Sequence, residues 1–130
     1  NNAMARLGEL KAVEAIEDLI ALLAFKHPKE MRTGGAFDGY MAKYILSQIG
    51  KPALAALVRA IADNDIDSIE FKNARQAVMS IFRDRLPQGA KYLRDQAARA
   101  DSPLVRERLA AAAQHIEDFV AKWYPSDKQP

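Results

Sequence analysis

The chain contains no cysteine. That excludes disulfides, cysteine-ligated zinc, iron–sulfur clusters and thiol catalysis. Glycine and proline number only six each in 130 residues, valine and threonine are scarce, and there is one tryptophan. Charge of neither sign dominates: nineteen Lys+Arg against seventeen Asp+Glu leave +2, too little to demand a nucleic acid or a membrane surface as partner. No apolar run approaches the roughly 20 residues that span a bilayer. No signal-peptide pattern opens the chain, which sets the expectation of a cytoplasmic protein.

What the chain has instead is alanine, 24 residues of it. Alanine loses no side-chain entropy in a helix and packs poorly in a sheet, so this composition favours helices. The apolar spacing agrees. Ile16, Leu19, Ile20 and Leu23 follow the i, i+3, i+4, i+7 pattern, as do Leu54, Leu57, Val58 and Ile61. Phe37, Tyr40, Met41, Tyr44, Ile45 and Gln48 form a longer stripe, and Ala74, Val78, Ile81 and Phe82 another. The longest runs from Val105 through Leu109, Ala112, Ala113, Ile116, Phe119 and Val120 to Trp123, and its spacing predicts that Trp123 anchors the last helix in the core. No segment alternates strictly, and the expected fold class is all-α.

Pro52, Pro87 and Pro103 each suit a first helical turn, where the missing N–H costs nothing. Ser102 is a good N-cap, Asp67 with Glu70 has capping-box spacing, and Gly50 suits the position that closes a helix. Together these predict helices near 4–10, 13–25, 37–49, 52–63, 68–85, 88–100 and 103–123, with a loop at 26–36. A single domain is expected over 4–124, after an Asn1-Asn2-Ala3 expression-tag remnant and before a polar tail at 125–130.

Self-comparison reveals a repeat. Ala15-Ile16-x-x-Leu19-Ile20-x-x-Leu23 recurs 38 residues later as Ala53-Leu54-x-x-Leu57-Val58-x-x-Ile61, and 36 residues further as Gly89-Ala90-x-x-Leu93-Arg94-x-x-Ala97. Each copy follows a helix ending in an apolar pair: Leu7/Leu10, Leu46/Ile49 and Phe82/Leu86. The segment from Leu7 to Leu23, and the hinge Ile45-Leu46-Ser47-Gln48-Ile49-Gly50-Lys51-Pro52-Ala53-Leu54, resemble HEAT-like repeats of the kind also found in phycobilisome lyases. The resemblance covers roughly residues 5–100. It lacks the Asp-Pro turn typical of such repeats, and Arg94 breaks the core row of the third copy. It implies a short right-handed α-solenoid of about three HEAT-like hairpins plus a C-terminal capping helix.

In such a solenoid the second-helix row lines a concave surface. The repeat offsets make Glu17, Ala55 and Lys91 equivalent, likewise Asp18, Ala56 and Tyr92, and Ala21, Arg59 and Asp95. The row runs from acidic through small to mixed charge with an aromatic, a pattern suited to a protein segment. The expected function is therefore a non-enzymatic protein-binding or scaffold module, with Glu17, Arg59, Lys91, Tyr92 and Asp95 as partner-binding residues. Exposed ends of a solenoid would also invite a homodimer.

Other chemistries find less support. His27 and His115 are too few and too far apart for a metal site, and no cofactor is expected. No serine sits in a Gly-flanked elbow. Thr33-Gly34-Gly35, with Lys29 and Arg32 nearby, lacks both phosphate-loop patterns. Asp63-Asn64-Asp65 lacks the glycine and bidentate glutamate of a calcium loop, and Glu14, Glu17 and Asp18 suit the negative end-charge of a helix start. Lys72, Arg75, Arg83, Arg85, Arg94, Arg99, Arg106 and Arg108 gather in the C-terminal half, the basis of an alternative nucleic-acid-binding reading, although acids are interspersed. A lyase- or chaperone-like accessory role follows only from the family resemblance.

Overall fold

Proline and serine punctuation delimits most of the helices. The computed structural model describes residues 14–27 and 38–125. Among these, every regular element is helical, and the protein is all-α: α1 (14–21), α2 (Met41–Ile49), α3 (Leu54–Asp63), α4 (Ile69–Phe82), α5 (Leu86–Arg99) and α6 (Pro103–Trp123). Short 3₁₀ turns, Lys51–Ala53 and Arg83–Arg85, precede α3 and α5. The expected helix at 4–10, residues 1–3 expected as a tag remnant, the Thr33-Gly34-Gly35 segment and the tail from Ser126 lie outside the described residues.

Pro52 opens the 3₁₀ turn before α3, Pro87 lies in the first turn of α5, and Pro103 begins α6. The Ser102 hydroxyl accepts from the Val105 N–H at 3.3 Å, satisfying an amide that has no partner inside the helix. At α4 the cap is Ser68, which accepts from the Phe71 N–H at 3.1 Å, and not Asp67 as the capping-box spacing suggested. Gly50 ends α2 at φ +82°, donating its N–H to the Leu46 carbonyl. That conformation is open to glycine and strained for other residues. There the chain bends by 118° into the 51–63 segment.

The helices share one core. Leu23, Leu46, Leu57, Ile61, Phe71, Val78, Leu93, Leu109 and Ile116 are its largest fully buried side chains, each contributing about 1.5–3 kcal/mol of transfer free energy. Alanines at 53, 74, 112 and 113 are buried to the same degree, letting helices approach closely. Gly89 does likewise at the α4–α5 corner, where a Cβ would stand 3.0 Å from the Phe82 ring. The most extensive pairing is α5 on α6; α3 packs on α4 and α6, and α4 also packs on α2 and α5. The Asn73 amide on α4 donates to the Leu23 carbonyl at 2.7 Å, seating the segment after α1 against the same core.

Two expectations are corrected. On α2 the buried face is Ala42, Lys43 and Leu46, while Met41, Tyr44 and Ile45 of the expected apolar stripe are exposed. Lys43 can turn inward because Asp38 and Gln76 bind its ammonium and the Tyr40 and Tyr44 rings flank it at 5.6 and 5.3 Å. Trp123 is no core anchor: 61% of it is exposed, with its ring against Phe119 and the Lys122 ammonium 5.3 Å from its centre. The core ends a turn earlier, with Ile116 buried and Phe119 and Val120 packed at its edge.

Candidate partner-binding face

Burial follows the repeat at some positions. The last apolar position of each copy, occupied by Leu23, Ile61 and Ala97, is buried in all three. The position held by Ile20, Val58 and Arg94 is half-buried in all three. Glu17, Ala55 and Lys91 are exposed, and so are Ala21, Arg59 and Asp95. The third row is mixed, with Asp18 exposed, Ala56 buried and Tyr92 half-buried. Some equivalent positions thus share a burial state while 16/54/90 and 19/57/93, like the third row, do not, and α3 packs on α4 and α6 rather than on α5.

Arg59 on α3 donates to the Glu17 carboxylate on α1, joining the exposed faces of these helices. Both side chains are well over half exposed (60% and 65%), so solvent screens the pair and holding it costs side-chain entropy. Lys91 and Asp95 form an i, i+4 pair at 2.9 Å along α5, also largely in water. The two pairs are separate, each neutralised within itself. Tyr92 packs against Phe82 at 5.9 Å between ring centres. Its burial raises the phenol pKa, partly offset by the nearby Arg99 charge.

Beside Lys91, Arg94 grips Glu117 of α6 through two hydrogen bonds of 3.1 and 2.7 Å and reaches Gln114 at 3.0 Å. The Arg94 hydrogen bonds, with a lesser contribution from its charge, hold the Glu117 carboxyl below its ordinary value against the upward push of burial. An arginine in an apolar row is explained by this bridge: its stem covers the core edge while its head pairs in water. Glu117 and Gln114 were not among the expected site residues; their i, i+3 spacing on α6 was the available signal. An open cleft of about 650 Å³ lies alongside, lined by Lys91, Arg94, Glu117, Tyr124 and apolar residues including Pro87 and Val120.

The C-terminal arginines are used largely for folding. Arg108 donates to the Ala62 carbonyl at 2.9 Å and to Asp65 at 2.7 Å, Arg106 to the Ala100 carbonyl at 2.7 Å, and Arg83 to the Ser80 carbonyl at 3.3 Å. Arg75 is half-buried, its Nε has no hydrogen-bond partner among the described residues, and burial lowers its pKa. Lys72, Arg85 and Arg99 remain exposed. The Asp63–Asp65 turn serves as capping: the Asn64 amide donates to the Ala60 carbonyl, and Asp65 receives Ser68 and Arg108. Among the described residues no cluster of three metal-ligating side chains occurs, and no single helix is long and apolar enough to cross a membrane. No family model, curated protein or solved structure matches the chain.

Proposed function

We propose that this protein is a non-enzymatic binding or scaffold module of the cytoplasm, a short right-handed α-solenoid of HEAT-like hairpins capped by α6. Another protein is its partner, bound across the face that carries Glu17, Arg59, Lys91, Tyr92 and Asp95. The observation that carries this reading is that positions 17/55/91, 20/58/94, 21/59/95 and 23/61/97 keep one burial state in all three copies, although 16/54/90, 18/56/92 and 19/57/93 do not. Such repetition is what stacked hairpins produce, because each unit buries its apolar face only against its neighbours. The Glu17–Arg59 pair, which links α1 to α3, supports it independently.

The test is a capture experiment from the source lysate with the Arg59→Glu, Lys91→Glu double variant beside the wild type, each with and without nuclease. A protein held by the wild type despite nuclease should bind the variant about tenfold more weakly or worse, as reversed charges do at a complementary interface, with the helical circular dichroism unchanged. Equal binding removes this face from consideration. Capture that vanishes with nuclease moves the function to nucleic-acid binding, and a visible absorption change on mixing with a bilin supports the accessory role.

A further inference from the structure

A strip of apolar surface lies on α2. Met41 and Ile45 are i, i+4 neighbours there, and both are exposed (38% and 36%). The packing around them fixes which side of the helix this is. Ala42 and Leu46 enter the core, while Lys43 and Ser47 line a groove with Gln76 and Ser80 of α4, the helix on which α2 packs. At about 100° per residue, Met41 and Ile45 then point almost directly away from α4. The strip continues onto the turn after α1. The His27 N–H donates to the Gly39 carbonyl at 2.8 Å, which joins residues 25–27 to the start of α2. The Phe25 ring stands edge-on to His27 at 5.1 Å and is 51% exposed, and Leu22, whose carbonyl accepts from the Phe25 N–H, is 47% exposed. Apolar side chains grouped in this way mark a place where another segment packs.

The chain itself supplies a fitting occupant. Residues 4–13, outside the described residues, run directly into α1 and carry Leu7, Leu10 and Val13 three positions apart. Their place in the repeat is that of α2 and α4: α2 precedes α3, α4 precedes α5, and residues 4–13 precede α1. Because α2 packs on α4, the same step taken once more sets residues 4–13 on the side of α2 turned away from α4. That is the side of Met41 and Ile45. Being joined to α1 without a linker, these residues also meet the strip at the high effective concentration of an intramolecular contact, which a separate molecule does not have.

We infer that the Met41–Ile45 strip is the docking surface for residues 4–13 of this same chain, with Leu7 and Leu10 against it; this rests on the stacked-hairpin part of the proposed function and not on the binding face. Since the chain has no cysteine, Lys11→Cys gives a single attachment point for a nitroxide on the full-length protein. The label should remove most of the intensity of the Met41 and Ile45 methyl resonances and spare the Trp123 indole signal. Adding Leu7→Asp and Leu10→Asp should restore the Met41 and Ile45 signals, with the Leu93 and Ile116 methyl signals in place to show that the core persists. Met41 and Ile45 signals untouched by the label, an equal loss at Trp123, or a loss that survives both aspartates overturns the placement. So does broadening carried from labelled protein to isotope-enriched unlabelled protein in a mixture, which assigns the strip to a second copy. The two readings fail separately. A missing label effect beside partner capture that still responds to Arg59→Glu with Lys91→Glu overturns this inference alone; a label effect on α2 beside unresponsive capture overturns the binding face alone.

Discussion

Arg94 stands where Ile20 and Val58 stand in the earlier repeats, and its half-burial equals theirs because only its stem lies on the core. Its two-pronged grip on Glu117 carries a pH signature. The Glu117 pKa is depressed in the folded state, chiefly by the Arg94 hydrogen bonds. The stabilisation is therefore present above the ordinary carboxylate pKa and is lost as pH falls through the lowered value. Both side chains are 41% exposed, so screening keeps the contribution below about 1 kcal/mol. Glu117→Gln should lower urea-unfolding stability by that amount at neutral pH, with the difference from wild type closing in strong acid; a difference that persists in acid would assign the loss to packing. The residue scale is also where pattern reading failed. Lys43 was unreadable as a core residue because its burial depends on Asp38, Gln76 and two tyrosines, one of these partners thirty-three positions away. Trp123 continued a helical stripe that the core beneath it does not reach.

At the scale of elements the chain was far more legible, because helix ends are decided locally. Pro103 with Ser102 placed the start of α6, Gly50 the end of α2, and Pro87 the start of α5. The slip of one residue at α4 arose because Asp67 and Ser68 are both capping types, and only the backbone decides which side chain reaches the free amide. Ser68, in extended conformation at ψ 155°, reaches the Phe71 N–H. Ser68→Ala should cost about 1 kcal/mol, whereas Asp67→Ala should change stability by less than about 0.5 kcal/mol, as surface substitutions away from such features do. Thermal unfolding of the two variants checks the register; equal losses would restore the capping box. The exposed rows of the candidate face were legible for the same reason, since helical period alone puts Glu17 and Arg59 outward. That Glu17 and Arg59 meet was not, because pairing between helices is set by tertiary fit.

Across the whole molecule, pairing is what the repeat could not supply. The sequence periodicity relates α3 to α5, yet α3 rests on α4 and α6. Arg108 explains part of this. Only 14% of its side chain is exposed, and it crosses from α6 to the Ala62 carbonyl in the last turn of α3 and to Asp65. A carbonyl in the last turn has no partner within the helix, so the guanidinium both caps α3 and fastens α6 onto it. Arg108→Ala should destabilise the protein by about 1–2 kcal/mol. Hydrogen exchange should quicken at the end of α3 and in residues 64–68 while α5 stays protected; uniform loss of protection would assign Arg108 to global stability alone.

The bond from Asn73 to the Leu23 carbonyl has a consequence in time. It closes a separation of 50 residues, whereas α5 and α6 are joined by only residues 100–102. Closing the longer loop costs more chain entropy before any contact rewards it. The α5–α6 pair should therefore form in the folding transition state, and α1 should dock after it. Leu93→Ala should then slow refolding, whereas Asn73→Ala should chiefly speed unfolding; the reverse pattern in stopped-flow kinetics would invert the order. Glu17 reaches Arg59 only once α1 has docked, so the face is the last part of the molecule to be finished.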